Sequence, residues 1–337
     1  MSNQTFRRAL AGSVLLAITL APAAAEPRGV VVYQGTCDAS AAVALDPSHF
    51  VVADDERDVL LVYRLGQGAP VATVDLTAAL GKRARGERAK ESDLEGAARI
   101  GARIYWIGSH SRDRKGRLAP HRRRLFATEI VSGDIPTVRT PAAAPYMDLL
   151  EDFAADPRFA SIRAAAAAGA PESAGGLNIE GLAATPDGRL LIGFRNPRPG
   201  GRAIVVPLEN PAAVVDHAQR PKLGDPMLLD LAGRGIRSID WVGDRFVIVA
   251  GPHDDGGPTG GLGFALYDWA GHAADVPRPW VGVDLGTLGP EGLFVIPGTR
   301  QVHVVSDDGE RCKGRPLTDM QRTFRAFTLD LPTSGAR

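Results

Sequence analysis

Five acidic residues recur at the head of a repeating pattern, and any chemistry in this sequence is to be sought there. Asp38 opens DASAAVALDPSHFVVADD, Glu95 opens EGAARIGARIYWIGS, Glu180 opens EGLAATPDGRLLIGFRN, Asp240 opens DWVGDRFVIVAGPHD and Glu291 opens EGLFVIPGTRQVHVVSDD. Each copy runs from the acid through small or apolar residues, a tight turn and an apolar strand to a small residue and a polar cluster. Those clusters are Asp54 and Asp55, Ser109 and His110, Arg195 and Asn196, His253 and Asp254, and Asp307 and Asp308. Carboxylates gathered at one place disfavour each other's ionisation and need compensation. A hard divalent cation supplies it, Ca2+ above all, since it takes about six to eight oxygen ligands. Arginine and backbone N–H groups supply it equally well, with Arg99, Arg112, Arg195 and Arg237 close to the repeats. On the first reading Glu95, Glu180, Glu291, Asp240, Asp38 and Asp307 are metal ligands, and Arg195, Asn196 and Arg237 bind substrate. His110 and His253 stand at strand exits and titrate near neutrality, as a general acid or base must. On the second reading the acids form a structural ring bonded to neighbouring backbone and the histidines are solvated loop residues.

The elements that position these residues follow from the same repeats. Pro47-Ser48, Gly101, Pro186-Asp187-Gly188, Gly243-Asp244 and Pro297-Gly298 supply the backbone conformations of a hairpin reversal, so each copy is a β-hairpin. Further strand-like runs follow, Val59–Leu65 and Val71–Leu76 after the first hairpin, Gly263–Trp269 and Trp280–Leu285 after the fourth. Four strands per unit is the count of a propeller blade. The fifth unit ends with Phe324–Leu329 and lacks a strand, which Gly29–Gln34 near the N-terminus can provide. The sequence therefore predicts an all-β fold, a five-bladed β-propeller closed by its N-terminal strand. A six-bladed ring with a blade within 111–176, and a β-sandwich, are the alternatives. In an antiparallel hairpin the entry of the first strand and the exit of the second share a face, so the acids and the polar clusters all meet at one mouth of the channel. The interval from Glu95 to Glu180 is the longest and carries the one helical pattern, with Met147, Leu150, Phe153 and Ala154 in phase, then Asp156-Pro157 as a helix start before Phe159–Ala168, and Gly169 as its cap. Residues 140–176 read as a helical insertion on the channel face, either a lid or a cover for a blade edge.

Residues 1–25 have Arg7 and Arg8, an apolar run and Ala23-Ala24-Ala25, the order of a cleaved secretory signal. The run is too short for a membrane span of about 20 residues. The expectation is an exported, periplasmic or secreted protein, with 26–337 as a single domain and no stable membrane span. Export permits disulfides. Cys37 enters the first blade and Cys312 leaves the second strand of the fifth, and these blades adjoin in a closed ring, so the two are expected to pair. The chain of 337 residues carries 39 basic and 39 acidic side chains, which leaves no excess positive charge for a nucleic acid. The 39 Gly and 25 Pro suit many turns. No zinc-type H-E-x-x-H or Cys-x-x-Cys spacing, nucleophile elbow or phosphate-cradling glycine loop is present. The Gly256–Gly261 run reads as a loop, His121–Arg124 as an exposed strand edge, and Lys82–Lys90 as a solvated basic loop near the channel face.

The run Gly175-Gly176-Leu177-Asn178-Ile179-Glu180-Gly181-Leu182, with Asp156-Pro157-Arg158, Gly193-Phe194-Arg195-Asn196-Pro197 and Gly235-Ile236-Arg237-Ser238-Ile239-Asp240, resembles a family of bacterial exported propellers catalogued as domain of unknown function 3616. The acid at strand entry is more distantly similar to that of esterase-like phytase and gluconolactonase-type propellers, a resemblance that implies metal ligands at the channel mouth. Asp38-Ala39 and Asp240-Trp241 stand where those repeats would carry Glu-Gly. Together these features predict a monomeric exported propeller that binds a divalent cation and a small anionic ligand, uses no organic cofactor, and performs metal-assisted hydrolysis of an ester or phosphoester. The alternative is a non-catalytic binding or interaction propeller.

Overall fold

The computed structural model describes residues 29–81, 90–254 and 262–332. The signal sequence expected over 1–25, most of the basic run 82–90 and the glycine run 256–261 lie outside the described residues.

Strands form wherever the repeats place an apolar run between turn residues. β1 is Val31–Gln34; β2 to β5 are Ala39–Ala44, His49–Asp54, Val59–Arg64 and Ala72–Asp75. β6 to β9 are Leu94–Ile100, Arg103–Gly108, Leu125–Val131 and Thr137–Arg139, and β10 to β13 are Asn178–Ala184, Leu190–Asn196, Ala203–Leu208 and Met227–Leu229. β14 to β17 are Gly235–Trp241, Phe246–Gly251, Ala265–Trp269 and Arg278–Pro279, and β18 to β20 are Pro290–Val295, Gln301–Ser306 and Thr323–Asp330. They pair into five antiparallel four-stranded sheets, β2 to β5, β6 to β9, β10 to β13, β14 to β17, and β18-β19-β20-β1. The inner strands β2, β6, β10, β14 and β18 neighbour one another in a closed circle. This is the five-bladed propeller, and β1 completes the fifth blade by pairing Val31 to Gln34 with Ala326 to Thr323. Among the described residues no sixth blade lies within 111–176.

The ring is held by apolar contact between blades rather than within them. Each of five buried clusters spans one blade junction, as where Val43, Val51 and Leu60 of blade 1 meet Ile104 and Trp106 of blade 2. Because both faces of a blade pack on neighbours, its second strand is buried along almost its whole length: all seven residues of β11 are buried, Arg195 and Asn196 at its exit included. At the closing junction Tyr33 of β1 stacks on Phe324 and meets Phe50 and Tyr63 of blade 1 edge-on, with ring centroids 5.2 Å apart in each case. Cys37 and Cys312 are disulfide-bonded across the same junction, with a sequence separation of 275.

Two local expectations change. Trp280–Leu285 is not a strand; the outer strand of blade 4 is the dipeptide Arg278–Pro279. Pro277 and Pro279 lack the N–H that a longer ladder needs, and Leu285 turns into the core between blades 4 and 5. The helical insertion exists as helices Leu149–Ala155 and Ala160–Ala167 with a turn Pro157–Phe159 between them, capped by the Asp156 carboxylate, which accepts from Arg158 N at 2.9 Å. Leu149, Phe153, Phe159 and Ile162 pack with Ile107, Leu125 and Phe194 at the junction of blades 2 and 3. The insertion is a wedge sealing that junction.

Candidate functional site

Every inner strand carries a register shift near its start. In blades 2, 3, 4 and 5 the pairing skips Glu95, Glu180, Arg237 and Glu291, and in blade 1 it skips Ser40 and Ala41. Such a bulge leaves the extra residue unpaired and re-aims its side chain. The residue after it is small in each blade, because the next blade lies against it. A Cβ on Gly96 would come within 2.9 Å of Leu182 Cβ, and one on Gly292 within 2.5 Å of Ser40 O. The Glu-Gly signature is therefore a channel-facing bulge followed by a blade contact.

This register corrects two of the five repeats. In blade 4 the bulge residue is Arg237, and Asp240 lies three positions further along β14, roughly 10 Å away at strand rise. The Asp240 carboxylate accepts from Val295 N at 3.1 Å and Trp241 N at 2.9 Å, fastening blade 4 to blade 5 near the opposite mouth. Burial pushes its carboxyl up to about 6. In blade 1 the bulge falls at Ser40, whose hydroxyl donates to Leu94 O of blade 2. Asp38 precedes it by two residues, at the same step as Asp93 before Glu95. The fourth acid of the expected ring is thus a cation and the first is a hydroxyl.

The arginine changes the site's electrostatics. Glu180 and Arg237 are both buried, and Arg237 Nε lies 2.9 Å from Glu180 Oε2. Arg237 also pairs with Glu291, while Arg195 Nη1 donates to Glu180 Oε1 at 3.1 Å and Asn178 Nδ2 donates to the same oxygen at 2.7 Å. The Arg237 guanidinium further lies over Phe264, 5.6 Å from the ring centre. Burial, then Glu180 and Asp93, push the Glu95 carboxyl well above the usual range, against a smaller lowering by Arg237 and Arg195. A divalent cation does not fit this ring: two of its three carboxylates are engaged by guanidinium groups, and among the described residues no three Asp, Glu, His or Cys side chains are grouped to hold a metal ion.

Above the ring opens a cavity of about 940 Å³. Arg195, Arg237 and Glu291 lie in its wall, with Asp38, Asp55 and Asp307 at the junction of blades 1 and 5. In a ring of five, that junction stands opposite blade 3, which bears Arg195, so the mouth is polar across its width. Asp55 N donates to Asp38 O at 3.2 Å, which sets the two backbones side by side. Burial, then Asp307, Asp54 and Glu56, push Asp38 up to about 7. Burial, then Asp307, Glu95, Asp93 and Asp38, push Asp55 well above the carboxylate range. Arg322 approaches Asp38 no closer than 4.0 Å.

The remaining expected residues serve the scaffold or stand at its edge. Asn196 is fully buried, and its amide donates to Pro171 O at 3.1 Å and Ser173 O at 2.8 Å, tying the insertion to blade 3. His110 is 2 % exposed, with φ of 55°; its Nδ1 lies 2.9 Å from Gly108 O, and burial lowers its pKa to about 4. It is outside the cavity wall. His253 stands 4.0 Å from Asp254, and burial, then Arg198, lowers its pKa. Arg99 binds the carbonyls of Ala44 and Leu45, and Arg112 that of Ala166, so both hold backbone. The stretch His121–Arg124 is not a free strand edge: Arg122 bridges Glu91 and Asp93, and Arg123 pairs with Glu151. Asp93, missed from sequence, was signalled by the parallel of Asp93-Leu94-Glu95-Gly96 with Asp38-Ala39-Ser40-Ala41.

Several solved structures align with the chain. An aldose sugar dehydrogenase from Streptomyces coelicolor in its PQQ-bound form is 11% identical, over 90% of this chain and 100% of that one, with a TM-score of 0.41. A putative oxidoreductase (glucose dehydrogenase) from Thermus thermophilus is 16% identical, over 89% and 100%, with a TM-score of 0.44. A luciferin-regenerating enzyme is 8% identical, over 91% and 96%, with a TM-score of 0.42. No curated protein matches the chain. Residues 141–275, which carry the insertion and most of blades 3 and 4 with Glu180, Arg195 and Arg237, match the family described as a protein of unknown function, DUF3616.

Proposed function

We propose that the cavity at the channel mouth is the working site, and that it binds a small polar molecule and hydrolyses an ester bond in it by general acid–base catalysis. The observation that supports this most is the group Asp38, Asp55 and Asp307 in the cavity wall, where Asp307 is the charge that acts most strongly on each of the other two. Crowded carboxyls do not all ionise readily, and Asp55, pushed well above the carboxylate range, suits the acid. Asp38, held near pH 7, suits the base. It takes a proton from water as the water oxygen bonds to the ester carbonyl carbon. Asp55 gives its proton to the leaving oxygen as the carbon–oxygen bond breaks, and the proton gained by Asp38 restores the pair. Arg195 and Arg237 orient the ligand from the opposite wall. Export through residues 1–25 belongs to the same reading, and the Cys37–Cys312 disulfide is compatible with it.

A panel of carboxylic esters, lactones and phosphoesters tests this on wild type, Asp38→Asn and Asp55→Asn. The expected result is ester or lactone turnover whose kcat/KM rises with pH through about 7, and a loss of about 10²–10⁴-fold in either variant. No turnover of any class, or variants as active as wild type, overturns it. A second reading, a non-catalytic binding propeller, is favoured by the closed Glu180–Arg237–Glu291 network, which serves the scaffold whatever the cavity does. It is recognised by ligand binding without turnover.

A further inference from the structure

The two mouths of the channel differ in character. Four residues beyond each bulge the inner strands reach the mouth opposite the cavity already described, where Ala44, Arg99, Ala184, Trp241 and Val295 form a ring. All five line a second cavity of about 390 Å³, which shares no lining residue with the first. In a circle of five, blades 2 and 4 flank blade 3, so Arg99 and Trp241 stand on either side of Ala184, whose methyl leaves the gap between them open. Arg99, exposed at the rim, is held in place but not neutralised. Its Nε donates to Gly101 O at 2.8 Å, and its Nη1 donates to Ala44 O at 3.0 Å and to Leu45 O at 2.8 Å. Among the described residues its Nη2 has no hydrogen-bond partner and the guanidinium enters no ion pair. The Trp241 ring meets Phe246 edge-on, with centroids 4.9 Å apart. The one acid in this wall, Asp240, has each carboxylate oxygen engaged by a backbone N–H, from Trp241 at 2.9 Å and from Val295 at 3.1 Å. We propose that this mouth is a second binding site, which takes a monocarboxylate with a flat apolar body: the carboxylate on Arg99, the ring between Ala184 and Trp241. The inference does not depend on any reaction at the other mouth.

A guanidinium presents five N–H donors in a rigid fork that matches a carboxylate. Here backbone carbonyls fix the fork through Nε and Nη1 and leave Nη2 for a ligand. A group already held in its binding geometry pays less ordering cost on association. Carbonyls are dipoles rather than charges, so the positive charge stays available, and a charge-assisted hydrogen bond is about twice as strong as a neutral one. The volume lies near the lower end of ligand cavities, roughly 300–1,000 Å³, which suits a molecule of one or two rings and not a folded partner. An ammonium ligand would meet Arg99 as a like charge and find both Asp240 oxygens taken. A multiply charged anion would find one cation and otherwise apolar wall, where its remaining charges would be desolvated without partners.

Calorimetric titration of the whole protein with 2-naphthoate tests the inference, beside 2-naphthylmethanol, 2-naphthylmethylamine, octanoate and phosphate. One equivalent of naphthoate is expected to bind, at least tenfold more tightly than any of the other four, and to weaken as salt is raised. Arg99→Gln is expected to lose at least tenfold. Ala184→Leu, which fills the gap and leaves the guanidinium in place, is expected to lose as much, with folding of both checked by circular dichroism. If Arg99→Gln fails to fold because three carbonyls lose their donors, Ala184→Leu decides. Equal binding of the alcohol or of octanoate, tighter binding of the amine, binding of phosphate in place of naphthoate, no binding of naphthoate, or naphthoate binding unchanged in either folded variant overturns it. The ester panel bears only on the other mouth, so the two readings fail separately.

Discussion

Arg237 Nε lies 2.9 Å from Oε2 of Glu180, and this buried pair joins blade 4 to blade 3 at the rim of the channel. The same guanidinium pairs with Glu291 of blade 5. Arg237→Met leaves two carboxylates poorly compensated in a region they cannot leave, and removing one partner of a buried pair costs about 3–5 kcal/mol. Urea unfolding is expected to show that loss as a lower midpoint. The double variant Glu180→Gln/Arg237→Met is expected to lose less than the two single losses added together, as residues in one network do.

The same guanidinium bears on metal dependence. Because Arg237 occupies the bulge position of blade 4 and engages two of the three ring glutamates, Ca2+ and EDTA are each expected to leave the melting temperature unchanged within error. Thermal melts at matched ionic strength check this. A rise with Ca2+ that EDTA reverses would show that the acids of the mouth hold a metal after all.

The disulfide closes the ring where its ends meet. With a sequence separation of 275 between Cys37 and Cys312, the chain-entropy model gives roughly 5 kcal/mol as an upper figure. Cys37→Ser with Cys312→Ser is expected to lower the melting temperature by several degrees and to leave the far-UV spectrum unchanged, since the aromatic cluster around Tyr33 still closes the junction. Thiol titration of the unfolded wild type is expected to find no free thiol before reduction and two after it.

Acid sensitivity should trace in part to His303. Its ring packs among Tyr33, Phe50 and Phe294, Nδ1 meets Thr328 Oγ1 at 2.9 Å, and burial lowers its pKa from 6.5 to about 4. Between those values the unfolded chain takes up a proton that the folded chain refuses. The contribution is therefore full above about pH 6.5 and is lost as pH falls towards 4. His110 acts with the same sign, and the raised carboxyls of Asp38 and Asp93 act with the opposite one. A comparison of melting temperatures from pH 7 to 4 isolates the ring: His303→Gln is expected to be less stable than wild type at pH 7 and to fall less steeply towards pH 4.

The sequence by itself determines the blades, the closing strand, the cysteine pair and the face on which the polar ends gather. These rest on turn chemistry and period, which are properties of neighbours along the chain. Pro186-Asp187-Gly188 makes a reversal wherever it stands, and an apolar run beyond it makes a strand. Register is another matter. A bulge shifts the pairing by one residue without changing composition, so Asp240 and Asp38 pass for equivalents of Glu180 when the acid is taken as the marker. The small residue after the bulge, as in Arg237-Ser238, is the surer sign, because it answers to the blade packed against it. The tertiary structure alone decides which charges meet. Glu180 and Arg237 come from different blades, as do Asp55 and Glu95, and a side chain's protonation depends on burial and on neighbours brought from elsewhere in the chain. For that reason the acids could be found by reading along the sequence, while the guanidinium that pairs with two of them could be found only across the channel.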